Sequence, residues 1–424
     1  MRRLALAALL GACTPALPPT TLSATRAPAA AAPSRLVARG PASPPNVPAA
    51  PTEPLVPLDA DVAAAVPQTA PLELYPLTGG GLFATQTHRY AILRDDADPL
   101  VWHDLPRLSE DRYPDSIITI GGTWPNAVFA SFIYQRLDEE EQHTRVFRWR
   151  GGRWRELPAP RDAYVSAFLG LHDGGVLAEH STPGYDGPGP ILKIQARSRH
   201  LRDPPFRAGM ATMPFASSPT GAVFIVDGDD HGYTVTRWDP RARSFTIDPL
   251  DVPRDAGLGI VELLVVDDRE AYILGGGARG FAPTDVGYLA RFDGAAWTVE
   301  TVRTDRRYTA LARTADGALW LTTVCDGDWG GACTGSWTTG RLLRRTAPDQ
   351  WQQIQLRVPP GSITCAPILP HYAMQGPPTF VDPKLRDVGV HAVAATGATV
   401  WVLARPADPV EDPGDMSVLL RIRP

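Results

Sequence analysis

The pattern of apolar and polar positions divides the chain into three stretches. Residues 4–10 form an unbroken apolar run behind Arg2 and Arg3. Residues 14–71 show no periodicity: Pro, Ala, Ser and Thr dominate, and the first aromatic residue of the chain is Tyr75. From Leu72 onward, short runs of alternating and β-branched residues are separated by clusters of Gly, Asp and Pro. That texture predicts strands joined by turns, because strand side chains alternate between two faces and Gly, Asp and Pro punctuate them. No stretch keeps the 3.6-residue spacing of an amphipathic helix.

The strand runs repeat as a unit. Its clearest copy, Tyr308 to Leu356, reads YTALART, ALWLTTV, GRLLRRT and WQQIQL, with ADG and APDQ as tight turns. Second strands begin near residues 81, 127, 176, 222, 271, 318 and 399, at intervals of 46, 49, 46, 49, 47 and 81. The last interval is long because residues 359–387 are inserted. A four-strand unit of roughly 45 residues predicts an all-β fold, a seven-bladed β-propeller of four-stranded antiparallel blades. The blades are expected at 72–105, 116–158, 164–206, 208–250, 260–302, 308–358 and 388–424. The last has only three strand runs before Pro424. An open sheet edge is a liability, so the missing outer strand is expected from before Leu72, at Pro54 to Leu58. Trp102, Trp154, Trp297 and Trp351, with Phe245, fall on outermost strands and are expected to wedge between blades.

Composition sharpens the first two stretches. Of the 44 prolines, 14 lie in residues 14–71. Without aromatic residues that segment cannot bury enough surface to offset its ordering entropy, so residues 13–71 are expected to be a disordered, semi-rigid Pro/Ala-rich tether. The seven apolar residues before it are too few to span ~30 Å of hydrocarbon, which takes about 20. Residues 1–12 therefore read as a signal peptide. A net charge of −5 argues against nucleic acid as a partner.

Leu10-Gly11-Ala12-Cys13 resembles the lipobox of bacterial lipoproteins. That resemblance implies lipidation of Cys13 and, with Thr14 behind it, an exported protein held at the outer membrane by its lipid anchor alone. Ala315 to Thr323 resembles the repeat of bacterial two-component-regulator propellers. RWRGGRW (148–154) and RFDGAAW (291–297) resemble kelch-type blade endings. These likenesses imply propeller architecture and no particular activity.

Motifs of chemistry fail on context. Gly275 to Gly280 spells G-x-G-x-x-G, but a strand follows where a dinucleotide site needs a helix, so an inter-strand loop is the reading. Asp227 to Gly232 and Asp326 to Gly330 begin like calcium loops. Trp238 and Trp337 stand where the twelfth-position carboxylate would be, so solvated acidic turns are expected, with a looser Ca2+ site as the alternative. There is no H-E-x-x-H, P-loop or G-x-S-x-G, and no catalytic residue, metal ligand or cofactor is assigned. Cys325 and Cys333 bracket a short loop, which in an exported protein predicts a disulfide; Cys365 is the alternative partner of either.

The connections between second and third strands are long and polar throughout, and in a propeller they share a face with the 359–387 insertion. Loops on a rigid scaffold carry binding function. The candidate rim is Tyr185, Asp186, Asp227, Asp229, Asp230, His231, Phe281, Asp326, Asp328, Trp329, Trp337 and Tyr372. The expected function is a membrane-anchored, non-catalytic, monomeric propeller that binds a protein or carbohydrate at the bacterial cell envelope. The alternatives are a propeller enzyme of glycosidase or lactonase type at the channel mouth, and a sensor or structural module.

Overall fold

The computed structural model describes residues 54–67, 72–86, 88–95, 100–107, 116–135, 142–157, 164–170, 176–181, 191–194, 201–202, 214–229, 232–239, 241–242, 244–252, 259–278, 285–303, 307–324, 341–348, 350–358, 388–406 and 416–423. The expected signal peptide, lipobox and tether up to residue 53 lie outside them.

Two strands lead, β1 (Leu55–Asp59) and β2 (Asp61–Pro67). The first blade follows as β3 (Leu72–Pro76), β4 (Leu82–Gln86), β5 (Arg89–Leu93) and β6 (Trp102–Asp104). The second is β7 (Ser116–Thr123), β8 (Ala127–Gln135), β9 (Gln142–Arg150) and β10 (Arg153–Leu157). The third is β11 (Tyr164–Gly170), β12 (Val176–Ser181), β13 (Ile191–Ile194) and β14 (Leu201–Arg202). The fourth is β15 (Phe215–Ser217), β16 (Val223–Asp229), β17 (Gly232–Asp239) and β18 (Ser244–Leu250). The fifth is β19 (Gly259–Val265), β20 (Ala271–Ala278), β21 (Asp285–Phe292) and β22 (Trp297–Arg303). A five-stranded sheet comes next: β23 (Arg307–Arg313), β24 (Leu319–Val324), β25 (Arg341–Ala347) and β26 (Gln350–Arg357), with β1 on its outer edge. The closing blade joins β27 (Val388–Thr396), β28 (Thr399–Pro406) and β29 (Met416–Ile422) to β2.

The innermost strands touch in cyclic order: β3, β7, β11, β15, β19, β23, β27 and again β3. The all-β propeller of antiparallel meanders is therefore present. The expected count of seven four-stranded blades is corrected. Six sheets are four-stranded blades, and the unit at 308–358 is a five-stranded sheet because β1 pairs with it in parallel.

The segment assigned to the tether is also corrected at its C-terminal end, where residues 55–67 form β1 and β2. The closing strand is β2, antiparallel to β29 from Asp61↔Arg421 to Pro67↔Met416, and not Pro54 to Leu58. One residue, Ala60, joins β1 to β2; it is 2% exposed and its N–H donates to Arg357 O at 2.8 Å. Thirteen residues thus staple two neighbouring sheets. Val56, Leu58, Val62 and Ala65 pack with Ile354, Leu356, Val418 and Leu420 in one apolar cluster. Low-complexity composition conceals this because Ala and Val need only a waiting edge to become a strand.

The core follows from blades stacking face to face. A second strand then has a neighbour on both sides and reads as a continuous apolar run rather than an alternating one. Leu82 to Thr85, Ala127 to Phe132, Ala222 to Val226, Ala271 to Leu274 and Leu319 to Thr323 are all buried. An aromatic ring recurs at one position of this strand: Phe83, Phe129, Phe224, Trp320 and Trp401 are each at most 1% exposed.

The outer-strand tryptophans wedge between sheets as expected. Trp154 of the second blade lies 5.9 Å from Phe83 and 5.8 Å from Tyr90 of the first. Trp102 packs into the cluster of Trp401 and Leu403, Trp297 into that of Phe224, and Trp351 into that of Tyr272 and Leu274. Phe245 differs, at 43% exposed.

The glycine string at 275–280 is corrected as well. Gly275, Gly276 and Gly277 belong to β20 and pair with Tyr288, Gly287 and Val286 of β21. A Cβ on Gly275 would stand 2.0 Å from Tyr288 Cζ, so glycine makes room for a buried tyrosine ring.

Ring closure yields the first expected outcome. A chain shortened to begin at residue 54 should melt at the full-length temperature. One that begins at residue 68 should melt at least ~10 °C lower, since each buried Val or Leu side chain contributes about 1.5–3 kcal/mol. Thermal denaturation followed by circular dichroism checks both.

Candidate functional site

The two faces of the ring are built differently. On one, the turns between first and second strands are short and bound to each other. Thr78, in the turn from β3 to β4, donates its N–H to Gly122 O (3.1 Å) and accepts from Trp124 N–H (2.8 Å). Its hydroxyl donates to Ser217 O in β15 at 3.4 Å. The turn of the first blade therefore reaches the fourth blade and lies across the channel axis. Around it, Ala315 N–H donates to Gly397 O at 2.6 Å. Thr396 Oγ1 donates to Asp95 Oδ1 at 2.7 Å and accepts from Trp401 Nε1 at 2.9 Å. Asp268 Oδ1 accepts from the hydroxyls of both Ser218 and Thr220.

The same face carries the main charge network. Arg313 grips Glu270 with two nitrogens, at 3.2 and 3.1 Å. Tyr272 donates to Glu270 at 2.7 Å, and its phenol is pushed up to about 12 by burial first and by that carboxylate second. Arg345 meets Glu300 at 2.7 Å, both 11% exposed. These pairs bridge the fifth blade and the five-stranded sheet. Face and interface are consumed by structure.

The channel wall has a feature that the sequence did not announce. The ladder between first and second strands skips one residue on β7, β11, β19, β23 and β27. The skipped residues are Ile118, Ser166, Val261, Thr309 and His391, at equivalent places in five sheets. A bulge re-aims side chains and sharpens local twist. Val261 is 39% exposed, and Thr309 Oγ1 lies 2.8 Å from Thr322 Oγ1.

Glu262 follows the β19 bulge. Its Oε2 accepts the Leu311 N–H of the neighbouring innermost strand at 2.7 Å. An innermost strand has one edge with no sheet partner, and this carboxylate caps one of its amides. Desolvation raises the Glu262 carboxyl from 4.5 to about 7, against the smaller opposing pull of the Leu311 amide. Between those values the folded protein holds a proton that the unfolded chain has released. The associated stability is present below pH 4.5 and is lost as pH rises through 7, at most about 3 kcal/mol.

Most of the expected rim lies outside the described residues: Tyr185, Asp186, Asp230, His231, Phe281, Asp326, Asp328, Trp329, Trp337 and Tyr372. So do Cys13, Cys325 and Cys333. Asp227 and Asp229 are placed in β16, opposite Thr234 and Gly232. This corrects two readings. The β16–β17 connection is only Asp230 and His231, and the β4–β5 connection only Thr87 and His88, so neither is the long loop expected in every blade. The backbone from Asp227 to Asp229 is ladder strand, not the solvated acidic turn expected there. Among the described residues no group of three His, Cys, Asp or Glu side chains is arranged to hold a metal ion. No helix there is long and apolar enough to cross a membrane.

No protein-family model and no curated protein matches the sequence. Among solved structures the chain is similar to YCF48 bound to a D1 peptide, at 12% identity and TM-score 0.46, over 86% of this chain and 98% of that one. It is also similar to the extracellular domain of a putative one-component system from B. thetaiotaomicron, at 12% identity and TM-score 0.46, over 85% of this chain and 38% of that one. A third is the GH74 xyloglucanase of Xanthomonas campestris, at 13% identity and TM-score 0.47, over 84% and 54% of the two chains. At such identities the likeness is one of fold alone. The short likenesses at 148–154, 291–297 and 315–323 are not extended to a family.

Glu262 gives a pH test. Gln at this position still offers a carbonyl to Leu311 but does not titrate. Glu262→Gln should leave stability near pH 4.5 within about 1 kcal/mol and raise it by about 1–3 kcal/mol at pH 8. Urea denaturation at the two pH values measures this; an unchanged pH slope in the variant would remove Glu262 as its source.

Proposed function

We propose that this chain is a non-catalytic β-propeller binding module. It is anchored to the bacterial envelope, at the outer membrane, through a lipid on Cys13. It captures a protein or carbohydrate partner on the face opposite the knit turns. The observation that carries this reading is the asymmetry of the faces. On the turn side, backbone and hydroxyl groups are spent on other blades, from Thr78 to Ser217 and from Ala315 to Gly397. The longest connections leave from the other side, among them 182–190, 325–340, 359–387 and 407–415, whereas the longest on the turn side is 94–101. They hold most of the rim residues named from the sequence, including Trp329, Trp337 and Tyr372. Aromatic side chains on loops carried by a rigid scaffold suit recognition.

Replacing 325–340 and 359–387 with short Gly/Ser linkers should abolish partner capture from an envelope extract while the melting temperature stays within ~3 °C. Capture that survives the replacement places the site elsewhere. The anchor is tested separately. Incorporation of labelled palmitate should disappear in Cys13→Ala, and unchanged labelling would sink the lipid.

A further inference from the structure

Arginines gather on the outer hairpin of the second blade. Residues 142–155 hold five arginines and no Asp or Glu, in a protein of net charge −5. Arg145 is paired, meeting Glu156 at 2.7 Å. The other four are Arg148 and Arg150 on β9 and Arg153 and Arg155 on β10. The register sets Arg148 opposite Arg155 and Arg150 opposite Arg153. Opposed residues share a face of a sheet, so all four side chains leave from one face. Trp149, Trp154 and Glu156 occupy the other.

This face meets solvent. Arg150, Arg153 and Arg155 are exposed, and Arg148 is half-buried. Arg148 lies over the buried Phe129 ring at 5.6 Å and donates to Asn126 O at 3.0 Å. Burial first, and the Arg150 charge second, hold its guanidinium below the usual range. The two strands are joined by Gly151 and Gly152, at φ of 59° and 80°, a two-residue turn that fixes the register. Like charges directly opposite each other destabilise a strand pair. Two such pairs stand side by side here. The fold gains nothing from them, because the glycine turn and the opposed Trp149 and Trp154 already hold the hairpin. An exposed cluster of this kind suits a ligand of opposite charge.

The spacing selects the ligand. Along each strand the arginines are two residues apart, about 6.8 Å. An extended chain presents the side chains of one face at that same step. Carboxylates at alternate residues of an extended peptide therefore meet successive arginine rows, each row offering two planar forks. Single-stranded nucleic acid needs aromatic platforms for its bases, and both tryptophans of this hairpin are on the other face. The chain's own acidic run, Asp138 to Glu141, precedes β9, and six residues of strand, about 20 Å, separate the start of β9 from Arg148.

We propose that this face of the β9–β10 hairpin binds an extended acidic segment of a partner protein, with carboxylates at alternate residues. One carboxylate is held by Arg150 and Arg153, and the next by Arg148 and Arg155. The site is separate from the loop face and stands or falls without it.

The probe is a fluorescein-labelled seven-residue peptide of alternating Glu and Ser, titrated with the full chain by fluorescence anisotropy at low salt. Saturable binding is expected. The double variant Arg150→Gln, Arg153→Gln should weaken it at least ten-fold. A control of equal charge, Arg94→Gln with Arg241→Gln at exposed positions of other blades, should leave it within two-fold. Moving the same number of Glu residues to every third position of a longer peptide should weaken it at least five-fold. No saturable binding, equal binding of the respaced peptide, binding that survives the Arg150 and Arg153 changes, or an equal loss in the control overturns the proposal. Tighter binding of a single-stranded oligonucleotide or of phosphatidylglycerol vesicles, lost in the same double variant, gives the face to another polyanion and also overturns it. Removing an opposed like-charge pair should leave the melting temperature unchanged or raise it; a fall would make these arginines structural and overturn the binding role.

Discussion

Everything in this molecule depends on the pairing of β2 with β29. A propeller is a sheet stack bent into a circle, and a circle has to be joined somewhere. Here the join is antiparallel backbone pairing between residues 61–67 and 416–421. It is reinforced one sheet away by β1 on β26, with buried Ala60 as the hinge between them. Without it the closing blade would have three strands and a bare edge, and the first and closing blades would lose a shared wall. Arg421, 7% exposed at its side chain, meets Asp61 at 3.4 Å where the join begins.

Once the ring is closed, packing repeats with little variation. Second strands are apolar on both faces because a sheet lies on each side of them. Outer-strand tryptophans fill the widening gap that a radial stack leaves at its perimeter. Trp154 against Phe83, Tyr90 and Phe132 is the fullest example. The same geometry accounts for the division between the faces. Tight turns converge toward the axis and can bond to one another, as Thr78 does with partners on two other blades.

The fold was legible because it repeats. A strand that is wrong once is corrected by its copies, and the period near 46 residues tied the runs to one architecture. The wedge positions were legible for the same reason. The bulges at Ile118, Ser166, Val261, Thr309 and His391 were not, since a bulge is a mismatch between two strands and no single strand records it. Glu262 was likewise hidden: in GIVELLV it reads as one polar residue on an apolar strand, and its role exists only once Leu311 is brought beside it. Asp227 and Asp229 were misread because acidic residues near glycine look the same in a hairpin strand and in a loop.

The sequence by itself determined the period, the strand texture and the buried second strands. These are local properties, set by side-chain alternation and turn residues within each unit. Only the tertiary structure decided how the ring closes, which sheet takes a fifth strand and how the turn-side mouth is crossed. Those outcomes depend on contacts between residues hundreds of positions apart. A Pro/Ala-rich segment carries the same local preferences whether or not an edge is waiting for it. Residues 55–67 become strands because β26 and β29 offer hydrogen-bonding partners that no neighbouring residue in the chain can supply.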